Sequence, residues 1–501
     1  LTGFEPCSTS RGAGLEHFAR EGFMKRLVTS HLGVDSNPGH VRLALDNKME
    51  VYPIPLGTAS QLLLEIARKS PGLLTKVGLY SYLDPRVQSV KYNEITAGDL
   101  IKAVEFEGEE WLLYKTFPIN VAIIRGTVAD EDGNLSLEEE ALTQNVLYQA
   151  MAARNWGGKV IAQVKRVVPA GSIDPRMVLV PGVMVDAIVI AKEQWQHERF
   201  PGEYDPGLDG RKRVPPPPAP LFPFNMEKVI ARRTAMELEV GKVVNWGGGI
   251  PTRRVAALTL EEDIQDLFFV SREHGTLGGV SYGRDCHINP TSWLNYQDLF
   301  NWYTGGGLDI GLLGFGQIDE EGNVNLSRFS REVLRGPGGA ADIAYLARKM
   351  VFAGSFTEGK LQVDVDTGKN SIAIVNEGRN IKFVKRVYQV TASGRYLKEQ
   401  GKPVLIVTER AVFRLTRAGL ELIEIAPGID VEKDILAKME YKPLVASPLR
   451  QMDRRIFSEG LVGLRRDMLG HEEKGRQRAV PMMPSDKLPM RSYWTARPPK
   501  M

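Results

Sequence analysis

Short, nearly continuous apolar runs alternate with amphipathic segments along most of the chain. The runs at residues 183–191 and 403–408 are rich in β-branched side chains, which is typical of strands buried on both faces. Residues 226–240 carry apolar side chains on one helical face, with Asn225 as a predicted N-cap and Gly241 as a predicted end. Strands that alternate with helices predict an α/β fold with mostly parallel sheets.

An internal repeat divides the chain into two similar halves. Residues 119–136 align without a gap on residues 308–325, and each copy is an apolar strand that enters an acidic turn closed by Gly-Asn. Glycine at this point supplies the positive φ that such turns need. Each copy precedes a second strand that begins at a lysine, at residues 159–164 and 349–353. We therefore predict two related open α/β domains, fused in one chain.

A proline-rich stretch separates the two halves. Eight of the 23 residues from 201 to 223 are proline, a composition that favours an extended, semi-rigid linker. We predict a first half over residues 1–200, a linker over residues 201–224 and a second half over residues 225–449. Residues 465–501 hold nine basic and four acidic residues and five prolines with almost no apolar period, which predicts a disordered basic tail.

Composition and charge narrow the classes of protein to which the chain can belong. Its 501 residues, 43% apolar and 25% charged, are typical of a globular protein of several domains. The net charge is +3, but without the tail 55 basic residues face 57 acidic ones, so we predict no nucleic-acid partner. Two cysteines cannot form a disulfide framework, and no apolar stretch reaches 18 residues. We therefore expect a cytoplasmic protein without a membrane span.

Several familiar site motifs are missing from the sequence. There is no GxGxxG after a strand, no GxxxxGK[ST] and no HExxH. Asp130 and Asp132 before Gly133 resemble the start of a calcium loop, but the later ligands are missing, and a β-turn is the simpler interpretation. We predict no metal site.

One hydrolase motif is present at residues 279–283, where Gly-Val-Ser-Tyr-Gly satisfies GxSxG around Ser281. This motif acts as a nucleophile elbow only between a strand and a helix. Here a glycine-rich loop precedes it and an apparent loop follows it. An acyl hydrolase that uses Ser281 is therefore kept as an alternative.

A carboxylate follows the predicted strand at residues 267–270. Glu273 lies at the carboxyl end of this strand, where open α/β sheets bind their ligands, and glycines surround it. A carboxylate in this position can act as a nucleophile toward an activated acyl group. The alternative is a capping or exposed glutamate beside a turn.

Three glycine clusters in the second half provide further candidates for the same site. They lie at residues 245–251, 304–309 and 334–341. Backbone N–H groups in such segments can bind an oxyanion or a phosphate. Each cluster alone is better explained by a tight turn, but their concentration in the second half around Glu273 favours a shared site.

The Glu273 segment and the three glycine clusters, in their order and spacing, resemble segments of family I CoA-transferases. This group includes acetate, propionate and 3-oxoacid CoA-transferases. Residues 272–275, Arg-Glu-His-Gly, are similar to the family's catalytic Ser-Glu-Asn-Gly or Glu-x-Gly segment, with His in place of the commoner Asn. Residues 245–251, 305–309 and 336–340 resemble the family's Asn-Leu-Gly-Ile-Gly-Ile-Pro, Gly-Gly-x-x-Asp and Gly-x-Gly-Gly-Ala segments. The resemblance covers roughly residues 10–455.

The resemblance extends to members in which both halves form one chain. Segments of the first half at residues 12–19, 72–78 and 115–120 carry it. The family's opening strand and Gly-Gly-Phe loop are not found ahead of residue 12, so we expect the first half to lack them.

The resemblance implies ping-pong transfer of CoA between a short-chain acyl-CoA and a free carboxylic acid, through a glutamyl-CoA thioester on Glu273. CoA is then a substrate and no cofactor is needed, and the family implies a homo-oligomer. A non-catalytic protein that binds CoA or an acid is a second alternative. His274 either tunes substrate choice beside Glu273 or points into solvent, and we expect the second. We predict oxyanion or substrate binding by Gly247, Gly248, Gly249, Gly338 and Gly339, and CoA binding by Asn245, Gly275, Gly306 and Gly307.

Overall fold

The second half of the molecule is built around a ten-stranded sheet. The computed structural model describes residues 2–5, 13–35, 37–191, 205–215, 218, 223–280 and 287–476. Across the sheet, the strands are Ser292–Trp293, Thr276–Leu277, Phe269–Ser271, Val243–Trp246, Ile310–Leu313, Lys349–Ala353, Val404–Val407, Ala411–Thr416, Gly419–Ile425 and Leu444–Gln451.

Five strands in the middle of this sheet, from Phe269–Ser271 to Val404–Val407, run parallel. Ile310–Leu313 is buried at every position, because a parallel strand in this position is covered on both faces. Their carboxyl ends share one side of the sheet, which we call the C-terminal edge. The second half also contains two-stranded ribbons, formed by Gln317–Ile318 with Val324–Asn325, Thr357–Glu358 with Asn380–Ile381, and Gln362–Asp366 with Ser371–Asn376.

Smaller sheets of three strands make up the first half. Two of them are parallel, and they contain Thr2–Glu5, Arg26–Thr29 and Glu50–Pro53, and Val121–Arg125, Lys159–Val164 and Ala187–Ile190. The others contain Gly72–Thr75, Ile101–Phe106 and Glu109–Lys115, and Val128–Asp130, Leu135–Ser136 and Arg166–Val168. The predicted α/β fold with mostly parallel sheets is confirmed. The expectation that the run at residues 183–191 is buried on both faces is wrong, because Ala187–Ile190 is an edge strand that is largely exposed.

Along the described chain, the α-helices lie between these strands, except the last, which follows the final strand. They are Ala13–Glu16, Pro38–Leu45, Leu56–Arg68, Val146–Asn155, Met226–Ala235, Ala256–Glu261, Tyr296–Trp302, Ala340–Leu346, Gly394–Glu399 and Leu464–Arg476. Single turns of π- or 3-10 geometry occur at Gly182–Met184, Pro251–Val255, Tyr303–Gly307, Val431–Ile435, Leu436–Lys438 and Arg454–Phe457. Within the described residues, none of the helices has the length and apolarity to cross a membrane.

The N-cap predicted at Asn225 is confirmed. Its side-chain oxygen accepts from the backbone N–H groups of Glu227 and Lys228 at 3.0 and 3.3 Å. The helix ends earlier than predicted, at Ala235 rather than near Gly241.

The repeated acidic turns adopt the same conformation in the two halves. In the first, the N–H of Asn134 donates to Asp130 Oδ1 at 2.9 Å. In the second, the N–H of Asn323 donates to Asp319 Oδ1, also at 2.9 Å. The side-chain oxygen of each asparagine then accepts the N–H of a distant glycine at 2.9 Å. The turn that resembled a calcium loop is therefore a closed β-turn, and its carboxylate binds backbone and amide N–H groups.

The two halves share one hydrophobic core, so neither is an isolated unit. The helix Leu56–Arg68 of the first half packs on Tyr296–Trp302 of the second. Contact is close at Gly57, where a Cβ would lie 2.2 Å from the Phe300 ring. Residues 205–215 of the predicted linker are also packed, since Asn289 and Val214 exchange hydrogen bonds of 2.9 and 2.8 Å.

The predicted tail begins as a helix, Leu464–Arg476. The Glu262 carboxylate accepts from the N–H groups of Val462, Gly463 and Leu464 at 2.6, 2.9 and 3.1 Å. An acidic side chain at a helix start satisfies N–H groups that lack helical partners. The prediction of disorder is therefore wrong for residues 465–476, while residues 477–501 lie outside the described part.

Candidate active site

Glu273 lies at the C-terminal edge, in a tight turn that follows the strand Phe269–Ser271. The N–H of Gly275 closes this turn by donating to the Arg272 carbonyl at 2.9 Å. Gly275 has φ +99°, and a Cβ there would lie only 2.0 Å from the Leu294 carbonyl oxygen. Glycine is therefore required for the turn that presents Glu273, and Gly275 serves the site through backbone geometry.

The backbone of Gly339 lies against the Glu273 carboxyl group. A Cβ at Gly339 would be 3.3 Å from Glu273 Cδ and 3.5 Å from Oε1. In the described part of the chain, no protein acceptor takes the N–H of Gly339. The neighbouring Gly338 differs, because its N–H donates to the Ser30 carbonyl at 2.9 Å. Of the two predicted oxyanion donors, Gly339 is thus the one beside the carboxylate with an available N–H.

A second glycine loop follows the neighbouring strand, Val243–Trp246. Gly247 is buried, and its N–H donates to the Leu312 carbonyl at 2.6 Å, so the sheet already uses this predicted donor. Gly248 and Gly249 are exposed at the C-terminal edge. Their N–H groups bind no acceptor among the described residues. Gly248 and Gly249 therefore remain as candidates.

A buried hydroxyl network holds the strand that carries Glu273. Ser271 Oγ and Tyr303 Oη lie 2.5 Å apart, and Asn245 Nδ2 donates to Tyr303 Oη at 3.3 Å. Burial raises the pKa of Tyr303, so its hydroxyl stays protonated. Asn245 is fully buried within this network. The structure therefore places Asn245 beneath the site, as a support, and not at the surface where CoA would bind.

Arg272 ties the turn of Glu273 to the second glycine loop. Its guanidinium donates to the Trp246 carbonyl at 2.9 Å and to Thr252 Oγ1 at 3.1 Å. No role was predicted for Arg272 from the sequence. The expectation that His274 points into solvent is wrong. Its side chain is buried, and its ring centroid lies 5.5 Å from that of Tyr296.

Gly306 and Gly307 are not brought to Glu273. They precede the strand Ile310–Leu313, which runs parallel to Val243–Trp246 and through it to the strand Phe269–Ser271 that leads to Glu273. They therefore lie at the opposite edge of the sheet. Gly306 faces the guanidinium of Arg348, and Gly307 packs on the Trp302 indole. The predicted CoA binding by these two glycines therefore has no support from their position.

The first half holds Gly338 and Gly339 in place through a buried carboxylate. Asp342 accepts from the N–H groups of Gly57 and Thr58 at 2.7 and 2.9 Å and from Thr58 Oγ1 at 2.8 Å. Burial raises the pKa of Asp342 to about 7, although these three hydrogen bonds oppose the rise. Asp342 was not predicted, because its partners lie some 284 residues away in sequence.

We expect Asp342→Asn to lower the free energy of unfolding by about 1–3 kcal/mol, because the new amide N–H₂ faces backbone donors. The folded pKa of Asp342 lies above its unfolded value. The native state therefore holds the proton longer, and this carboxyl contributes less stability as the pH rises from about 4 to about 7. In denaturant unfolding, the difference in the free energy of unfolding between the wild type and Asp342→Asn should decrease as the pH rises across this range. Asp364→Asn, which changes an exposed carboxylate, is the control. A stability difference between the wild type and Asp342→Asn that does not change with pH would contradict this interpretation.

No cluster in the described part of the chain has three His, Cys, Asp or Glu side chains placed to hold a metal ion. The groups that the structure brings together at the C-terminal edge are one carboxylate at a strand end and backbone N–H groups of glycine loops. Such an arrangement can form a covalent acyl bond and stabilise an oxyanion beside it.

Comparison with known proteins agrees with this chemistry. A family model described as Coenzyme A transferase matches residues 7–191. The chain is 40% identical to caffeate CoA-transferase of Acetobacterium woodii, over 91% of this chain and 87% of that protein. It is 35% identical to acetate CoA-transferase YdiF of Escherichia coli (strain K12), over 90% and 84%.

A solved structure extends the likeness to the fold. The acyl-CoA transferase YdiF of E. coli O157:H7, in a thioester complex with CoA, superposes with a TM-score of 0.84 at 34% identity. The match covers 92% of this chain and 87% of that one. With both halves matched in single-chain relatives, this protein belongs to the CoA-transferase family.

Proposed function

We propose that Glu273 is the nucleophile of a ping-pong CoA transfer between an acyl-CoA and a free carboxylic acid. Its carboxylate attacks the thioester carbonyl, and the C–S bond breaks to give a glutamyl anhydride and CoA thiolate. The thiolate attacks the Glu273 carbonyl, releases the first acid as its carboxylate and leaves a glutamyl-CoA thioester. A second acid reverses these steps. The observation that carries the proposal is the turn at the C-terminal edge, which sets Glu273 against Gly339.

Backbone N–H groups stabilise the tetrahedral oxyanions in this proposal. Gly339 supplies the donor on one side, and Gly248 and Gly249 supply donors from the neighbouring loop. Removal of one such donor costs about 3 kcal/mol in other enzymes, or about a hundredfold in rate. The exchange of one acid for another is nearly isoenergetic, so the reaction needs no ATP.

We propose short-chain acids as substrates. The relatives are named for acetate in E. coli and for caffeate in A. woodii, so an aromatic acid is the informative competitor. An exchange assay with acetyl-CoA and a panel of acetate, propionate, butyrate, acetoacetate and caffeate tests this. A kcat/KM for caffeate above those of all the short acids would contradict it.

Hydrolysis by Ser281, which lies outside the described residues, remains the second candidate function. Since Glu273 is the proposed nucleophile, we expect Ser281→Ala to retain CoA exchange within about twofold of the wild type. A fluorophosphonate probe should leave the wild-type protein unlabelled. Loss of activity in the variant, together with labelling of the wild type, would favour the hydrolase. Binding of CoA with neither exchange nor hydrolysis would favour a non-catalytic protein.

We also propose that the chain forms homo-oligomers and acts in the cytoplasm. One chain has a mass of 55.7 kDa, so light scattering should give a multiple of this value. Cell fractionation tests the location, and recovery outside the cytoplasmic fraction would contradict it.

A further inference from the structure

A lysine side chain is buried at the C-terminal edge, away from Glu273. Lys382 is only 5% exposed, and its Nζ lies 3.9 Å from the centroid of the Phe315 ring. A Cβ at Gly354 would lie 3.1 Å from the same nitrogen. Gly354 directly follows the strand Lys349–Ala353, and Phe315 lies two residues after Ile310–Leu313. The ammonium group therefore lies at the edge of the sheet that carries Glu273.

This ammonium group has no ion-pair partner within 4.0 Å among the described residues. The carboxylates that act on it from a distance are those of Glu358 and Glu409. Glu409 is already bound, since it accepts from Arg410 Nε at 2.8 Å and from the Phe356 N–H at 2.9 Å. Glu358 is exposed to solvent. The fold thus keeps a cation in the interior without a counter-charge of its own.

The surroundings of Lys382 make its charge costly in the unliganded protein. The Phe315 ring, which lies against its Nζ, belongs to an aromatic cluster, with ring centroids 6.0 Å apart for Phe315–Phe383 and 4.6 Å for Phe356–Phe383. Burial in this apolar cluster lowers the pKa of Lys382 to about 8. A buried charge without a partner destabilises a fold, whereas an anionic ligand that reaches it gains a strong interaction.

The distance between Lys382 and Glu273 determines which part of the substrate can contact Lys382 while the substrate reacts at Glu273. Across the sheet, the strand before Glu273 is followed by Val243–Trp246, Ile310–Leu313 and Lys349–Ala353. Lys382 lies beside the last two of these strands, which are two and three strand positions away from the strand before Glu273. Neighbouring strands lie about 4.8 Å apart, so about 10–15 Å separates the two groups. A short-chain acid bonded to Glu273 cannot extend this far. The far end of CoA can, because the long pantetheine arm separates its sulfur from its phosphates.

We propose that Lys382 binds a phosphate group at the nucleotide end of CoA while the sulfur reacts at Glu273. This inference rests on the proposed function of Glu273, because the position of the CoA sulfur at Glu273 determines where the phosphates can lie. CoA carries a diphosphate and a 3′-phosphate, and both present the same anionic oxygens. Dephospho-CoA, which lacks only the 3′-phosphate, distinguishes between them.

The test is titration calorimetry on the full chain with CoA, dephospho-CoA and pantetheine. Lys382→Met should raise the Kd for CoA by about 10- to 100-fold, the range expected for loss of a hydrogen bond between charged groups. The Kd for pantetheine, which has no phosphate, should change less than about twofold. Lys382→Arg should restore most of the affinity for CoA. The matched control is Lys385→Met, which removes an exposed charge three residues away and should leave each Kd unchanged.

The melting temperature of the unliganded protein tests the role of Lys382 independently of ligand binding. Because Lys382→Met removes a buried charge that has no partner, the unliganded variant should melt at or above the wild-type temperature. A purely structural lysine would instead lower the melting temperature and weaken CoA and pantetheine alike. If Lys382→Met lost the same affinity for CoA and for pantetheine, or lost affinity for neither, the proposal would be overturned. Lys382→Gln serves as a second variant. Wild-type binding of CoA together with no covalent adduct after incubation with acetyl-CoA would refute the role of Glu273 alone.

Discussion

Replacement of Glu273 by Gln is expected to reduce CoA transfer by at least about 1,000-fold, the scale seen when a catalytic nucleophile is removed. The amide keeps the shape of the side chain but cannot attack a thioester. Initial rates of CoA exchange between acetyl-CoA and propionate measure the effect. Glu332→Gln, which changes an exposed carboxylate of the same half, is the matched control and should leave the rate unchanged.

Glu273→Asp adds a test of geometry. The shorter side chain keeps the carboxylate but withdraws it from Gly339, so we expect about a hundredfold loss in kcat. Activity of Glu273→Gln near the wild-type value would show that another group is the nucleophile.

Gly275→Ala is expected to lower the free energy of unfolding by about 3 kcal/mol or more, near the upper end of single-site effects. A Cβ would overlap the Leu294 carbonyl oxygen at 2.0 Å, and φ +99° is strained for alanine. Relief of this overlap must shift the turn that carries Glu273, so CoA transfer should also fall. Denaturant unfolding and the exchange assay measure the two effects.

Gly241→Ala separates backbone strain from steric overlap. Gly241 has φ +75°, but no heavy atom lies within 4 Å of its Cβ position. Its substitution should therefore cost only about 1–2 kcal/mol, the penalty of a left-handed backbone, and should leave transfer intact. If the two variants were equally stable, the account of the Gly275 turn would be wrong.

The features that could be predicted from sequence are those with a local pattern. The N-cap at Asn225 and the repeated turns at Gly133 and Gly322 depend on residues within a few positions, and the structure contains them. Glu273 was placed at a strand end because an apolar run leads directly to it. Its closeness to Gly339 followed from the family resemblance and not from spacing.

The features that were missed depend on contacts between distant segments. Asp342 binds Thr58, in the other half of the chain, and Glu262 stabilises the start of the helix Leu464–Arg476 across some 200 residues. Gly306 and Gly307 have the composition of a binding loop, but the direction of the parallel strands places them at the opposite edge. Composition alone does not show the edge of the sheet at which a glycine turn lies.

Intact-mass spectrometry after incubation with acetyl-CoA tests the role of Glu273 most directly. We expect the wild-type chain to gain the mass of one CoA less one water, peptide mapping to assign the adduct to Glu273, and Glu273→Gln to gain no mass. An unmodified wild-type chain that nevertheless exchanges CoA, or an adduct on another residue such as Ser281, would contradict this role.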